Sequence, residues 1–177
     1  MKSNLTVVSF IDVFTYSLIL LMICSIESIF FSSSNFFIEV DIWFVPLIYY
    51  FLHRTPLMGI VLTVLSTFIL AGFTGAPLFQ ILAGLIATLT FVNIFKVRSF
   101  VKGSAYLYLT SMLGLLVFYF FMFSSNYVFY SNWASFNDLA LLILVVLVSP
   151  GFSFIVEPLL KLTDSLIGVV YPFGFEV

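Results

Sequence analysis

The chain has 177 residues, 63% of them hydrophobic and 8% charged, against about 25% charged in an ordinary soluble domain. That much apolar surface exceeds what a soluble core of this size hides from water, so the sequence reads as an integral membrane protein. A net charge of -2 without a basic block argues against nucleic-acid binding, and a single cysteine, Cys24, and a single histidine, His53, exclude an internal disulfide, a cysteine-based zinc site and histidine-pair acid-base chemistry.

About 20 helical residues cross a hydrocarbon core of roughly 30 Å, and six apolar stretches present themselves in chain order: Val7 to Phe31, Ile42 to Leu52, Pro56 to Phe73, Ala76 to Phe95, Tyr106 to Phe123 and Leu139 to Leu160. The first is too long and lacks the small-residue cleavage pattern of a secretory signal, so it is expected to be retained. The second spans about 16 Å as a helix and must borrow flanking residues or enter obliquely. The predicted architecture is one all-α polytopic bundle of about six helices, with no separate soluble domain.

An even number of crossings with a cytoplasmic amino terminus places Lys2, Arg54, Lys96, Arg98, Lys102 and Lys161 together on the cytoplasmic side, as the positive-inside rule requires. The same layout puts Trp43, Tyr127, Tyr130 and Trp133 at the outer interface and Tyr49, Tyr50, Tyr106 and Tyr108 near the inner one. Ser124 to Asp138 reads as an ordered external cap.

Small residues let helices approach closely in lipid. They concentrate in the third span (Gly59, Thr63, Ser66, Thr67, Ala71), the fourth (Ala83, Gly84, Ala87, Thr88) and the fifth (Thr110, Ser111, Gly114). These three are expected at the centre, with the first two spans more exposed to lipid or to a partner. Thr55 is a candidate cap with Pro56 in the first turn of the third span. Gly75 and Pro77 mark the next turn, and Pro150 with Gly151, which interrupt the last span, predict a kink there.

Asp12 and Glu27 lie on the first span, where each carboxylate needs a partner, water, a proton or access to headgroups. Glu157 precedes Lys161 by four residues, a favourable helical ion-pair spacing. No catalytic carboxylate pair, Ser-His-Asp set or glycine-rich phosphate loop accompanies them. The expectation is a non-enzymatic protein without a cofactor or metal.

From Asp41 to Phe95 the order of features is Ile42-Trp43-Phe44-Val45-Pro46-Leu47-Ile48-Tyr49-Tyr50, then Arg54-Thr55-Pro56-Leu57-Met58-Gly59, then Thr74-Gly75-Ala76-Pro77-Leu78; Glu157-Pro158-Leu159-Leu160 follows in the last span. This order resembles the MreD family of bacterial rod-shape-determining membrane proteins. The chain departs from that pattern at Ala71, where the family often has an acid, at Phe79, where it has glycine, and in a basic tail reduced to Lys161.

The resemblance implies an S-component-like fold. It also implies a non-catalytic subunit of the cell-elongation machinery in the bacterial inner membrane. Its partners would be an MreC-like bitopic protein, RodA and a penicillin-binding transpeptidase, with MreB filaments indirectly. The contact surfaces expected for such partners are Tyr127, Tyr130 and Trp133 outside, and Arg54, Lys96, Arg98 and Lys102 inside. The alternative is a substrate-binding S-component of an energy-coupling-factor vitamin transporter, which calls for an enclosed polar pocket and a small-residue docking face on the first helix; no such face is visible there.

Overall fold

A computed structural model describes residues 2–33, 40–98, 104–130 and 136–167. The first helix, α1 (Lys2–Ser33), is followed by α2 (Phe44–His53), α3 (Pro56–Thr74), α4 (Leu78–Arg98) and α5 (Ser104–Tyr130). The last span is built from α6 (Phe136–Val148), a 3-10 turn at Ser149–Phe152 and α7 (Ser153–Ile167). Five stretches, on α1, α3, α4, α5 and the α6–α7 unit, are long and apolar enough to cross a membrane. The architecture is an all-α polytopic bundle.

The expected punctuation has the local chemistry anticipated for it. Thr55 accepts a hydrogen bond from the Met58 amide at 3.4 Å, and Pro56, which has no N–H to leave unsatisfied, occupies the first helical position of α3. Gly75 ends α3 in the left-handed conformation, φ +67°, where a side chain would be strained. Pro77 leads into α4, its carbonyl accepting from Gln80 and Ile81, and Pro46 sits in the first turn of α2. Pro150 and Gly151 lie within the 3-10 turn that separates α6 from α7, so the last span is broken where proline removes a backbone donor.

The third and fifth spans both pack closely on the fourth, as their small residues indicate, but the most enclosed helix is the second. Nine of the ten residues of α2, Phe44 to Leu52, are buried, and α2 packs against α1, α3, α4, α5 and α7. At ten residues, about 15 Å of helix, it is too short to span the hydrocarbon alone. Enclosed by longer helices, it has no need to match the bilayer. The expectation of a lipid-exposed second span is therefore corrected: its Ile, Leu, Phe and Tyr side chains fill the interior. Trp43, Tyr49 and Tyr50 move inward with it, away from the aromatic belts. Trp43 meets Phe44 and Phe118 edge-on, and Tyr50 meets Tyr16.

The small residues serve as the contacts onto this core. A Cβ on Gly84 of α4 would fall 2.7 Å from Phe118 Cδ2 and 3.3 Å from the Phe118 carbonyl oxygen of α5. Gly114 of α5 admits Phe44 and Ile48 of α2, and Gly59 of α3 admits Leu89 of α4. On α1, Asp12, Tyr16, Leu20 and Cys24 form a buried row at four-residue spacing. Phe10, Phe14, Leu18 and Met22 point outward, and the Tyr16 hydroxyl is 2.6 Å from Ser66 Oγ on α3.

Within the stretch Ser124 to Asp138, expected as an ordered external cap, α5 continues as helix to Tyr130 and α6 begins at Phe136, while 131–135 lie outside the described residues. The 27 residues of α5 make about 40 Å, more than a bilayer core. Its polar groups find partners in helical geometry: Ser125 Oγ donates to the Phe121 carbonyl and Asn126 Oδ1 accepts from Gln80 Nε2 at 2.9 Å.

Two glycine substitutions separate these roles. Gly84→Ala is expected to destabilise the purified protein by about 1–3 kcal/mol through overpacking at Phe118. Gly72, which has open space around its Cβ position, is expected to tolerate alanine with a neutral or slightly raised melting temperature in detergent.

Candidate functional site

Arg54 follows the last turn of α2 and carries the chain into α3. Its guanidinium is buried, 5% exposed, so it needs counter-charges within the fold. Asp12 of α1 supplies one: Nε donates to Oδ2 and Nη2 to Oδ1, each at 2.9 Å. Asp164 of α7 supplies the other, accepting from Nη2 at 2.5 Å and from Nη1 at 3.5 Å. Tyr49 donates its hydroxyl to Asp164 Oδ2 at 2.8 Å, and the ring of Tyr50 lies 5.0 Å beneath the guanidinium carbon. Lys96 at the end of α4 donates to the Arg54 carbonyl at 3.4 Å.

This constellation joins the start of α1, the α2–α3 turn, the end of α4 and the end of α7. Burial works against the charged guanidinium, but the hydrogen bonds and charges of Asp12 and Asp164 outweigh it and hold the Arg54 pKa above its ordinary value. With Lys96 beside Arg54, two cations face two carboxylates at this end of the bundle.

The other end of α2 has its own polar cluster. Glu27 Oε1 accepts the Trp43 amide at 3.1 Å, Asp41 Oδ1 accepts Trp43 Nε1 at 3.0 Å, and Tyr119 donates its hydroxyl to Asp41 Oδ2. Ser149 Oγ of the 3-10 turn accepts the Asp41 amide at 2.9 Å. The short central helix is thus gripped by ionic groups below and by carboxylate and hydroxyl groups above. About 22 Å of α1 separates Asp12 from Glu27.

Several expectations are corrected here. Arg54, expected on a contact surface, is enclosed and engaged. Asp12 is paired with a cation inside the bundle rather than with headgroups, and Glu27 is partnered by backbone. Lys96 turns its ammonium toward the Arg54 carbonyl. Arg98 lies in the last turn of α4 and Tyr130 ends α5, with their side chains outside the described residues, as are Lys102 and Trp133 altogether. Tyr127 is exposed, at 45%. Glu157 and Lys161 form the ion pair their spacing indicated, 3.0 Å between Oε1 and Nζ.

Comparison with protein-family models, curated proteins and solved structures finds no match. The reading of this chain rests on its own residues.

Breaking the Arg54 cluster from one side leaves uncompensated charge in the interior. Arg54→Met is expected to cost about 3–5 kcal/mol. Asp12→Leu and Asp164→Leu added to Arg54→Met should recover most of that loss, because the three charges are then removed together. Melting of the three-site variant no higher than that of Arg54→Met would contradict this account.

Proposed function

We propose that the chain is a non-catalytic integral membrane subunit that scaffolds other membrane proteins, as its resemblance to rod-shape-determining proteins implies for the bacterial elongation machinery. The observation that carries the reading is the filled centre. In a substrate carrier the middle of the bundle is where a ligand sits, whereas here α2 occupies it with Phe44, Leu47, Ile48, Tyr49 and Phe51, all at most 2% exposed. Arg54, Asp12 and Asp164 face one another across helices. A protein built in this way acts through its outside.

The surfaces it offers are lipid-facing. Phe10, Phe14, Leu18 and Met22 line the outer side of α1, and Ile60, Val64 and Phe68 that of α3. Packing in lipid depends on shape and contact rather than on burial of apolar area, so such faces suit the single transmembrane helix of an MreC-like bitopic protein. RodA and a penicillin-binding transpeptidase would join the same assembly, and MreB filaments would be reached indirectly. In this reading the Arg54 end faces the cytoplasm of a bacterial inner membrane, with both chain ends on that side, because the six Lys and Arg residues then share one compartment. Vitamin binding, as by an S-component, remains the competing reading, since the fold class suits both.

Photo-crosslinking from Phe14 and Phe68, followed by co-purification of the tagged full chain, is expected to capture a bitopic membrane protein of the morphogenesis machinery. Recovery of an energy-coupling transporter subunit instead, together with a rise in melting temperature on adding one vitamin from a panel, would replace scaffolding with uptake.

A further inference from the structure

Buried hydroxyls in this bundle follow one habit, and two of them break it. Thr63, Ser66, Thr67, Thr88 and Thr110 each donate to the carbonyl four residues earlier, at 2.7–2.9 Å, the usual way a helix satisfies such a group. Ser149 accepts from the Asp41 amide. Ser111 and Ser153 are wholly buried, yet their Oγ atoms have no hydrogen-bond partner among the described residues; neither has Oε2 of Glu157, which is 4% exposed. A buried polar atom left unsatisfied costs about 1–3 kcal/mol, so three in one part of a bundle call for an occupant.

The helices that carry them pack on one another, and with α2 they enclose a wedge between α2, α5 and α7. Ser153 and Glu157 stand one turn apart on the buried face of α7, and α7 packs against α2 and α5. On α5, Ser111 lies three residues after Tyr108, whose ring stacks with that of Phe154 on α7 at 6.0 Å. It lies three residues before Gly114, which admits Phe44 and Ile48 of α2. The face of α5 that carries Ser111 is therefore bounded by α7 on one side and α2 on the other.

The charge balance selects the occupant. Glu157 Oε1 is matched by Lys161, which remains 43% exposed, while Oε2 lies inside. A second carboxylate, Asp41, stands on this side of the bundle, its amide donating to Ser149 one turn before Ser153. Hydroxyl and carboxylate oxygens are ligands for hard cations, and a carboxylate already half matched by lysine suits one positive charge rather than two. The break at Ser149–Phe152 also ends α6 beside this wedge, and broken spans are where membrane bundles place cations.

We propose that Ser111 Oγ, Ser153 Oγ and Glu157 Oε2 form a buried site for a monovalent metal cation such as sodium. The site goes beyond the scaffolding reading and does not depend on it. Occupancy would tie the broken last span to α5 and stabilise the fold in proportion to cation concentration.

The test is thermal unfolding of the purified full chain in an uncharged detergent, with sodium or potassium chloride titrated against choline chloride at constant ionic strength. One of the two metal ions is expected to raise the melting temperature along a saturating curve. Ser111→Ala and Ser153→Ala should flatten the curve, as should Glu157→Gln if it folds. Lys161→Gln, which frees Oε1, should shift half-saturation to a several-fold lower concentration. Identical curves in sodium, potassium and choline for both the unaltered chain and Lys161→Gln would overturn the proposal, leaving ordered water alone in the wedge. A metal-specific shift that persists undiminished in both serine variants would overturn the assignment of these ligands.

Discussion

A guanidinium enclosed in a membrane bundle must bring its counter-charges with it, and Arg54 draws them from the start of α1 and the end of α7. Neither carboxylate is near it in sequence: Asp12 lies 42 residues before and Asp164 110 residues after. The cluster therefore forms only when first, second and last helices have assembled. Apolar burial gives helices little reason to associate in lipid, and an unpaired charge there is costly. Pairing three charges at one point fixes which helices meet and at what depth. The position of α2 follows, since Tyr49 and Tyr50, one turn earlier, pack into the same cluster.

Once α2 is held in the interior, much of the remaining architecture is determined by its shortness. The longer helices must close around it, and they do so where side chains are smallest, at Gly59, Gly84 and Gly114. Just before α2, Asp41 is partly buried and its polar groups are held by other elements. Glu27, Asp41, Tyr119 and Ser149 satisfy one another and the Trp43 backbone there. The last span accommodates this by breaking at Pro150, which brings Ser149 to the Asp41 amide.

What could be read from sequence and what could not divides along a physical line. Hydropathy located the membrane helices because the bilayer imposes length and composition on every span. Local chemistry was legible at Thr55-Pro56, Gly75, Pro150 and the Glu157–Lys161 pair, since each is decided within a few residues. The centrality of α2 was not, because a helix facing lipid and a helix facing other helices are equally apolar. The Arg54 cluster was hidden for a different reason. The positive-inside pattern explains a basic residue at a turn without burial, and nothing local to Arg54 signals Asp12 or Asp164. The nearest signal was Asp12 itself, a carboxylate in an apolar helix that required a partner.

The enclosure of Arg54 is open to direct measurement. The chain contains two arginines, Arg54 and Arg98, so selective 15N-arginine labelling gives at most two side-chain Nε–H resonances in detergent or nanodiscs. The account predicts one resonance that persists after transfer to D2O, disappears in Arg54→Lys and moves in both Asp12→Asn and Asp164→Asn. Rapid exchange of the Arg54 signal with solvent, insensitive to both carboxylates, would contradict it.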